Sequence, residues 1–361
     1  MSTHSNGSSP DSRPPRRISS LFGNAALVAV SLVIVAIPAE FVFRHRYGHM
    51  LYNPRPEVRA VQQYLTLDPV IGFKWQPSIS AERSIRFDIN DMTTPPLSTD
   101  SFGVINSPAA IEMRAERGTV DAAGLGDSFM EMAAGEFHER FKEAGLSYYS
   151  LAIHRQCPPQ YTTILDSWAL PLKPRVVVYG IFENDFQESI DFRNWQVSGI
   201  DWFTYHSGTW CGPPIGDGAF ERFSRTYTRG WYTFARVLEE KLRGPQTSAR
   251  VVTQDTINLT TTPIAAAAIR ARDAGARFVL VIIPSKETAT GAATPESRAY
   301  DAMLATLRPA DIEVIDLRES FREHPDPASL YYVQDGHWND NGIALAASAI
   351  LDHLEGEPNE P

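Results

Sequence analysis

After Arg175, Val176-Val177-Val178-Tyr179-Gly180-Ile181 is an unbroken apolar run of strand length, and after Arg277 residues 278–283 form another. A strand without polar alternation has no face to give to water, so it belongs in a sheet covered on both sides. Sheets of that kind are built from parallel strands joined by crossover helices. Further strands are expected over residues 120–126, 148–153 and 313–317. The patterning predicts helices over 129–144, 160–172, 255–274, 294–307 and 341–354. Gly145 and Gly275 close two of them, and Asn339 or Asp340 is placed to cap the last. The expected architecture is α/β: a parallel sheet between two helical layers, within residues 117–356. In such sheets the chemistry collects beyond the carboxyl ends of the strands.

Three motifs fall at those ends. Gly124-Leu125-Gly126-Asp127-Ser128-Phe129 closes the first strand and opens a helix. Glycines allow a sharp turn there, and a hydroxyl beside a helix N-terminus sits among N–H groups that favour developing negative charge. By itself Gly-Asp-Ser is also ordinary turn chemistry. Asn184 follows the Val-rich strand, and Asp335-Gly336-His337 precedes the last helix. A serine hydroxyl is a poor nucleophile near neutral pH and needs a base, for which imidazole is suited. Asp335, two residues before His337, falls on the same side of extended backbone and can orient the ring. Taken alone, the Asp335–His337 stretch also reads as a polar loop capping a helix, and Asn184 as a turn residue.

The serine, the asparagine at a strand end and the downstream Asp-x-His, in that order, resemble the SGNH (GDSL-type) hydrolases over about the C-terminal two-thirds of the chain. The resemblance implies a three-layer α/β/α, flavodoxin-like fold in which Ser128, Asp335 and His337 are catalytic. It also implies an oxyanion hole made by Ser128, Asn184 and a donor after the second strand. Relatives carry glycine at that third position, where this chain has Ala152. Many relatives also have Asp-x-x-His; the shorter spacing here, with Pro284-Ser285-Lys286-Glu287, resembles membrane-anchored SGNH proteins of bacterial polysaccharide O-acetylation. An acetylated glycan substrate and polysaccharide-assembly partners are what that likeness implies. Lys286 has two readings, a contact for an anionic substrate or a solvated loop lysine.

The N-terminal region is of another kind. Residues 1–17 are Ser/Pro-rich and expected to be disordered. Residues 18–39 carry no charge, and a transmembrane helix is expected over 18–43. A cleaved signal peptide is the rival reading, although Ile37-Pro38-Ala39 is a poor cleavage site. Arginines flank the span on both sides, and a short tail inside with the catalytic domain outside (the periplasm, in a bacterium) is the simpler topology. Residues 44–116 read as a β-rich membrane-proximal spacer with strand-like pieces at 68–75 and 84–89. Residues 186–254 interrupt the strand–helix alternation as an insertion rich in aromatics, among them Trp195, Trp202, Trp210 and Trp231. These either stack on a sugar or line an acyl pocket, or give the excursion its own small core, the more usual outcome.

Composition removes some functions. A net charge of −10 speaks against a nucleic-acid partner. No phosphate-cradling glycine loop and no spaced set of metal ligands is present, so neither cofactor nor metal is expected. Cys157 and Cys211 either pair, in an oxidising compartment, or stand as two thiols. Asn258-Leu259-Thr260 is a sequon that matters only in a eukaryotic secretory host. Two functions remain: a membrane-anchored extracytoplasmic serine esterase or O-acyltransferase, and a non-catalytic glycan-binding or scaffolding subunit on the same fold.

Overall fold

The computed structural model describes residues 27, 31, 34–42, 64–80, 88–89, 92–93, 98–206, 252–333 and 336–356. The chain divides into two units, residues 1–53 with 216–246, and residues 54–215 with 247–361. Of the first unit, residues 34–42 are helical, with Ile34, Val35, Ile37, Phe41 and Val42 exposed. Among the described residues no helix is long and apolar enough to cross a membrane. Most of the expected span, the N-terminal tail and much of the aromatic insertion lie outside the described residues.

The second unit holds a five-stranded parallel sheet. Its strands are β3 (Ala122–Leu125), β4 (Tyr148–Ser150), β5 (Val176–Ile181), β6 (Arg277–Ile282) and β7 (Glu313–Asp316), after an N-terminal hairpin of β1 (Leu65–Asp68) and β2 (Gly72–Trp75). The spatial order is β4-β3-β5-β6-β7. That order reverses direction at β3, so the crevice between β3 and β5 is the topological switch point where such sheets bind ligands. Register there pairs Leu125 with Tyr179, which brings the loops after both strands together.

Alternate residues of each strand serve opposite faces. Ala123, Leu125, Tyr149, Val177, Tyr179, Leu280 and Ile282 join one apolar cluster; Ala122, Tyr148, Val178, Val279, Val281 and Ile315 join the other. Both faces are therefore covered, as the Val-rich runs require. The second face carries α3 (Ala134–Glu143) and α11 (Asp340–Glu355), whose N-cap is Asn339. The first carries α4 (Pro158–Ile164), α7 (Gln254–Asp273) and α9 (Pro295–Leu307).

Several expectations are corrected in detail. The helix expected over 129–144 is two, α2 (Ser128–Met132) and α3, meeting at Ala133. Residues 68–75 are the turn and second strand of a hairpin rather than one strand, because Asp68 Oδ1 accepts the N–H groups of Val70 and Ile71 and turns the chain. The region taken as a β-rich spacer contains α1 (Pro108–Arg117), capped by Ser107 with Pro108 in its first turn. Nor does that region stand apart from the α/β core. Leu65, Ile71, Phe73, Trp75 and Val104 are buried in the first cluster, and Asp100 accepts three backbone N–H groups and the Tyr149 hydroxyl.

The aromatic excursion opens as a helix, α5 (Asp185–Ser198), followed by α6 (Trp202–Tyr205). Trp195 and Trp202 are buried against each other and against Phe192 and Phe73, so the described aromatics are core. Trp210 and Trp231 lie outside the described residues. Cys157 is a buried free thiol that donates to Gln160 Oε1, and Cys211 is likewise outside the described residues.

Candidate active site

The turn at Ser128 works through close approach more than through unusual angles. A Cβ on Gly124 would fall 1.9 Å from the Tyr148 hydroxyl, and one on Gly126 2.4 Å from Met130 Cγ. Both glycines let β3 run tightly between its neighbours before the chain turns into α2. Asp127 caps that helix by accepting the Phe129 N–H, and Ser128 is its first residue. A first-turn N–H has no carbonyl behind it in the helix, so the Ser128 N–H is a natural oxyanion donor.

His337 comes from the loop before α11. That loop is closed at its base: Tyr331 bridges Trp338, and Tyr332 N–H donates to the His337 carbonyl at 3.0 Å. Asn339 Nδ2 donates to the carbonyls of Ser329 and Tyr331, and Lys286 Nζ donates to that of Tyr332. Lys286 is thus a brace of the histidine loop and not a purely solvated side chain. The imidazole rests on Phe129, with ring centroids 4.7 Å apart, and Phe129 lies against Phe182 and Trp338.

The outcome is one short contact. Ser128 Oγ lies 2.7 Å from His337 Nε2, across 209 residues of sequence. Both side chains are part-exposed, so a substrate can reach them. With Nε2 unprotonated the hydroxyl donates to it, the geometry a general base needs. Asp335 lies outside the described residues.

Asn184 stands at the start of α5, beyond β5. Its Oδ1 is buried without a hydrogen-bond partner. Ala152 is different. It is wholly buried and its N–H donates to Ser150 Oγ at 3.3 Å, so the third oxyanion donor expected there is committed within its own loop. An alanine Cβ joins the second apolar cluster and holds the segment down. His154, considered as a substrate contact, is buried and bonded to Glu131 instead.

A group of acids that motif reading missed lies under the site. Burial pushes Asp127 up to about 6, against the pull of the Phe129 N–H and His337. Burial raises Asp185 well above the usual carboxylate range, although it accepts from Phe182 N–H and the Tyr161 hydroxyl. Burial, then the nearby Asp127, pushes Glu188 up to about 8, against the pull of Arg155. Arg155 reaches Glu188 at 3.7 Å from a left-handed backbone (φ 56°).

The pH consequence follows from the raised values. A carboxyl whose folded pKa exceeds its unfolded one binds its proton more tightly when folded, so stability falls as pH rises between the two. For Glu188 that window runs from 4.5 to about 8. Urea midpoints are expected to drop across it in the native protein, and Glu188→Gln to flatten the upper part. An equal drop in the variant would show that Glu188 is ionised throughout.

Among the described residues no group of three or more His, Cys, Asp or Glu is arranged to hold a metal ion. Residues 246–360 match the family model described as SGNH hydrolase-like domain, acetyltransferase AlgX. Over that stretch the chain is similar to the SGNH hydrolase-like family. The match covers His337 and the last strands, and Ser128 lies outside it. Solved structures are similar too. A GDSL-like lipase from Bacteroides thetaiotaomicron is 13% identical, covering 68% of this chain and 97% of its own, with a TM-score of 0.40. The acetylxylan esterase Axe2 from Geobacillus stearothermophilus is 10% identical, covering 66% and 95%, with a TM-score of 0.40. No curated protein sequence matches the chain.

Proposed function

We propose that this SGNH-like protein is a serine esterase or O-acyltransferase, anchored to a membrane with its catalytic unit outside, that acts on acetyl esters of a glycan or other cell-envelope substrate. The observation that carries the reading is the 2.7 Å contact between Ser128 Oγ and His337 Nε2 at the switch point of the sheet. The acetyl preference draws on the AlgX-type family match. The exposed apolar side chains of residues 34–42 support membrane contact.

In this mechanism Ser128 Oγ attacks the ester carbonyl while its proton passes to His337 Nε2. The carbonyl oxygen becomes an oxyanion held by the Ser128 N–H and the Asn184 amide, and Asp335 steadies the imidazolium. Collapse expels the alcohol, which takes the proton from His337, and leaves acyl-Ser128. Water or a sugar hydroxyl then loses its proton to His337 and attacks the acyl carbon, and Ser128 recovers its hydrogen as it leaves.

A serine-directed fluorophosphonate is expected to label the full-length protein and to fail on Ser128→Ala. Equal labelling of both would remove the reading. Asn184→Ala is expected to lower kcat on an aryl acetate by roughly 10²–10³-fold, the usual cost of one oxyanion donor. One observation favours the binding-subunit alternative, namely the engaged Ala152 N–H, which leaves two donors where relatives use three. Labelling of Ser128 decides between them.

A further inference from the structure

The helix that presents the nucleophile is five residues long. A helix that short has almost no orientation of its own, because most of its backbone groups lack partners within it. Its direction must be imposed from outside. On one side Trp338 Nε1 donates to the Phe129 carbonyl, tying it to the histidine loop. On the other, three residues after Ser128, the buried Glu131 carboxylate takes two charge-assisted bonds. Trp75 Nε1 donates to Oε1 at 2.5 Å, and His154 Nδ1 donates to Oε2 at 2.8 Å.

Those donors come from two distant segments. Trp75 ends β2, 56 residues before Glu131 in sequence. His154 belongs to the loop after β4, which is itself stitched to the nucleophile turn by Leu151 N–H to the Gly124 carbonyl and Ile153 N–H to the Gly126 carbonyl. The two segments also hold each other, since Gln156 Nε2 donates to the Phe73 carbonyl and Gln160 Nε2 to that of Ile71. His154 fills the space between the rings of Phe73 and Trp75, at 5.1 and 4.8 Å.

We propose that Glu131 is a positioning residue for Ser128: its carboxylate fixes the nucleophile's helix against the N-terminal hairpin and the loop after β4. Its carboxylate bonds go to Trp75 and His154, not to Ser128 or His337, so it acts through where it holds the helix. The effect expected on catalysis rests on the esterase reading, whereas the coupling of the three segments does not. A buried carboxylate with two donors satisfied is rigid, and losing it takes an acceptor from both donors. A displacement near 1 Å at a nucleophile costs about 10²-fold.

Two measurements on the full-length protein test this. In Glu131→Ala, kcat for a short-chain aryl acetate is expected to fall roughly 10- to 100-fold with KM within about 2-fold. Glu131→Gln, which keeps one acceptor, is expected to recover most of it. Trp75→Phe removes one donor without opening the core, and is expected to shift kcat in the same direction by less. Hydrogen–deuterium exchange is expected to quicken in residues 126–133 and 150–157 of Glu131→Ala together. Unchanged exchange in those segments overturns the coupling. Quickened exchange with native kcat per folded molecule overturns the positioning role and leaves a purely structural clamp. Absence of turnover in the unsubstituted protein refutes the esterase reading, and exchange still decides the coupling.

Discussion

Ser128→Ala is expected to lower turnover of a short-chain aryl acetate by roughly 10⁴-fold or more, and His337→Ala to match it. The hydroxyl and the imidazole are 2.7 Å apart and act as one unit, so neither retains much use without the other. The double variant should therefore be about as slow as either single one, and far from the product of two separate losses. Initial rates of the three variants, each checked for native folding by circular dichroism, settle the matter. Multiplicative losses would mean that the two side chains contribute independently, and the base-and-nucleophile pairing would fail. Both variants are expected to keep native stability, because each side chain is part-exposed and leaves no cavity.

Trp338→Ala is expected to have the largest effect on the fold itself, about 3–5 kcal/mol, the range for removing a buried large aromatic. Trp338 is wholly buried beside Phe129, Phe137 and Phe321. Its indole N–H donates to the Phe129 carbonyl, one residue from Ser128, while the residue before it is His337. The loss should therefore appear twice, as a lower urea midpoint and as slower turnover by the molecules still folded. Trp338→Phe should recover most of the stability and leave the indole bond missing. A loss of unfolding free energy under about 1 kcal/mol for Trp338→Ala would contradict the packing described.

What was legible in the sequence was what local chemistry encodes. Unalternating apolar runs announced β5 and β6, and the glycine-flanked serine and Asp-x-His stretch announced the two ends of the central contact. The short helix α1 carried a readable signal in Ser107 followed by Pro108, an N-cap and a first-turn proline, but frequent prolines nearby suggested extended chain. The start of the aromatic excursion hid a helix, α5, because its apolar residues do not gather on one stripe. Ala152 was misplaced for a different reason. A motif position says which backbone group stands there and not which neighbour has already engaged it, and here Ser150 Oγ has.

Glu131, His154 and Trp75 were illegible as a group. Each is an unremarkable residue in its own segment, and only the fold brings them within hydrogen-bond reach. The acids under the site were hidden likewise: Asp127, Asp185 and Glu188 read as turn and helix-start residues, and burial alone gives them their unusual protonation.

The hairpin's place in the first apolar cluster determines where this protein can be cut. Residue 117, where the strand–helix alternation begins, looks like a safe boundary on paper. A fragment starting there would leave behind Leu65, Ile71, Phe73 and Trp75, baring the greasy hollow they occupy and leaving the Glu131 carboxylate facing water. Such a fragment should clump when expressed, whereas one that begins ahead of residue 64 should stay dispersed. Limited proteolysis should likewise return a resistant product that retains the hairpin.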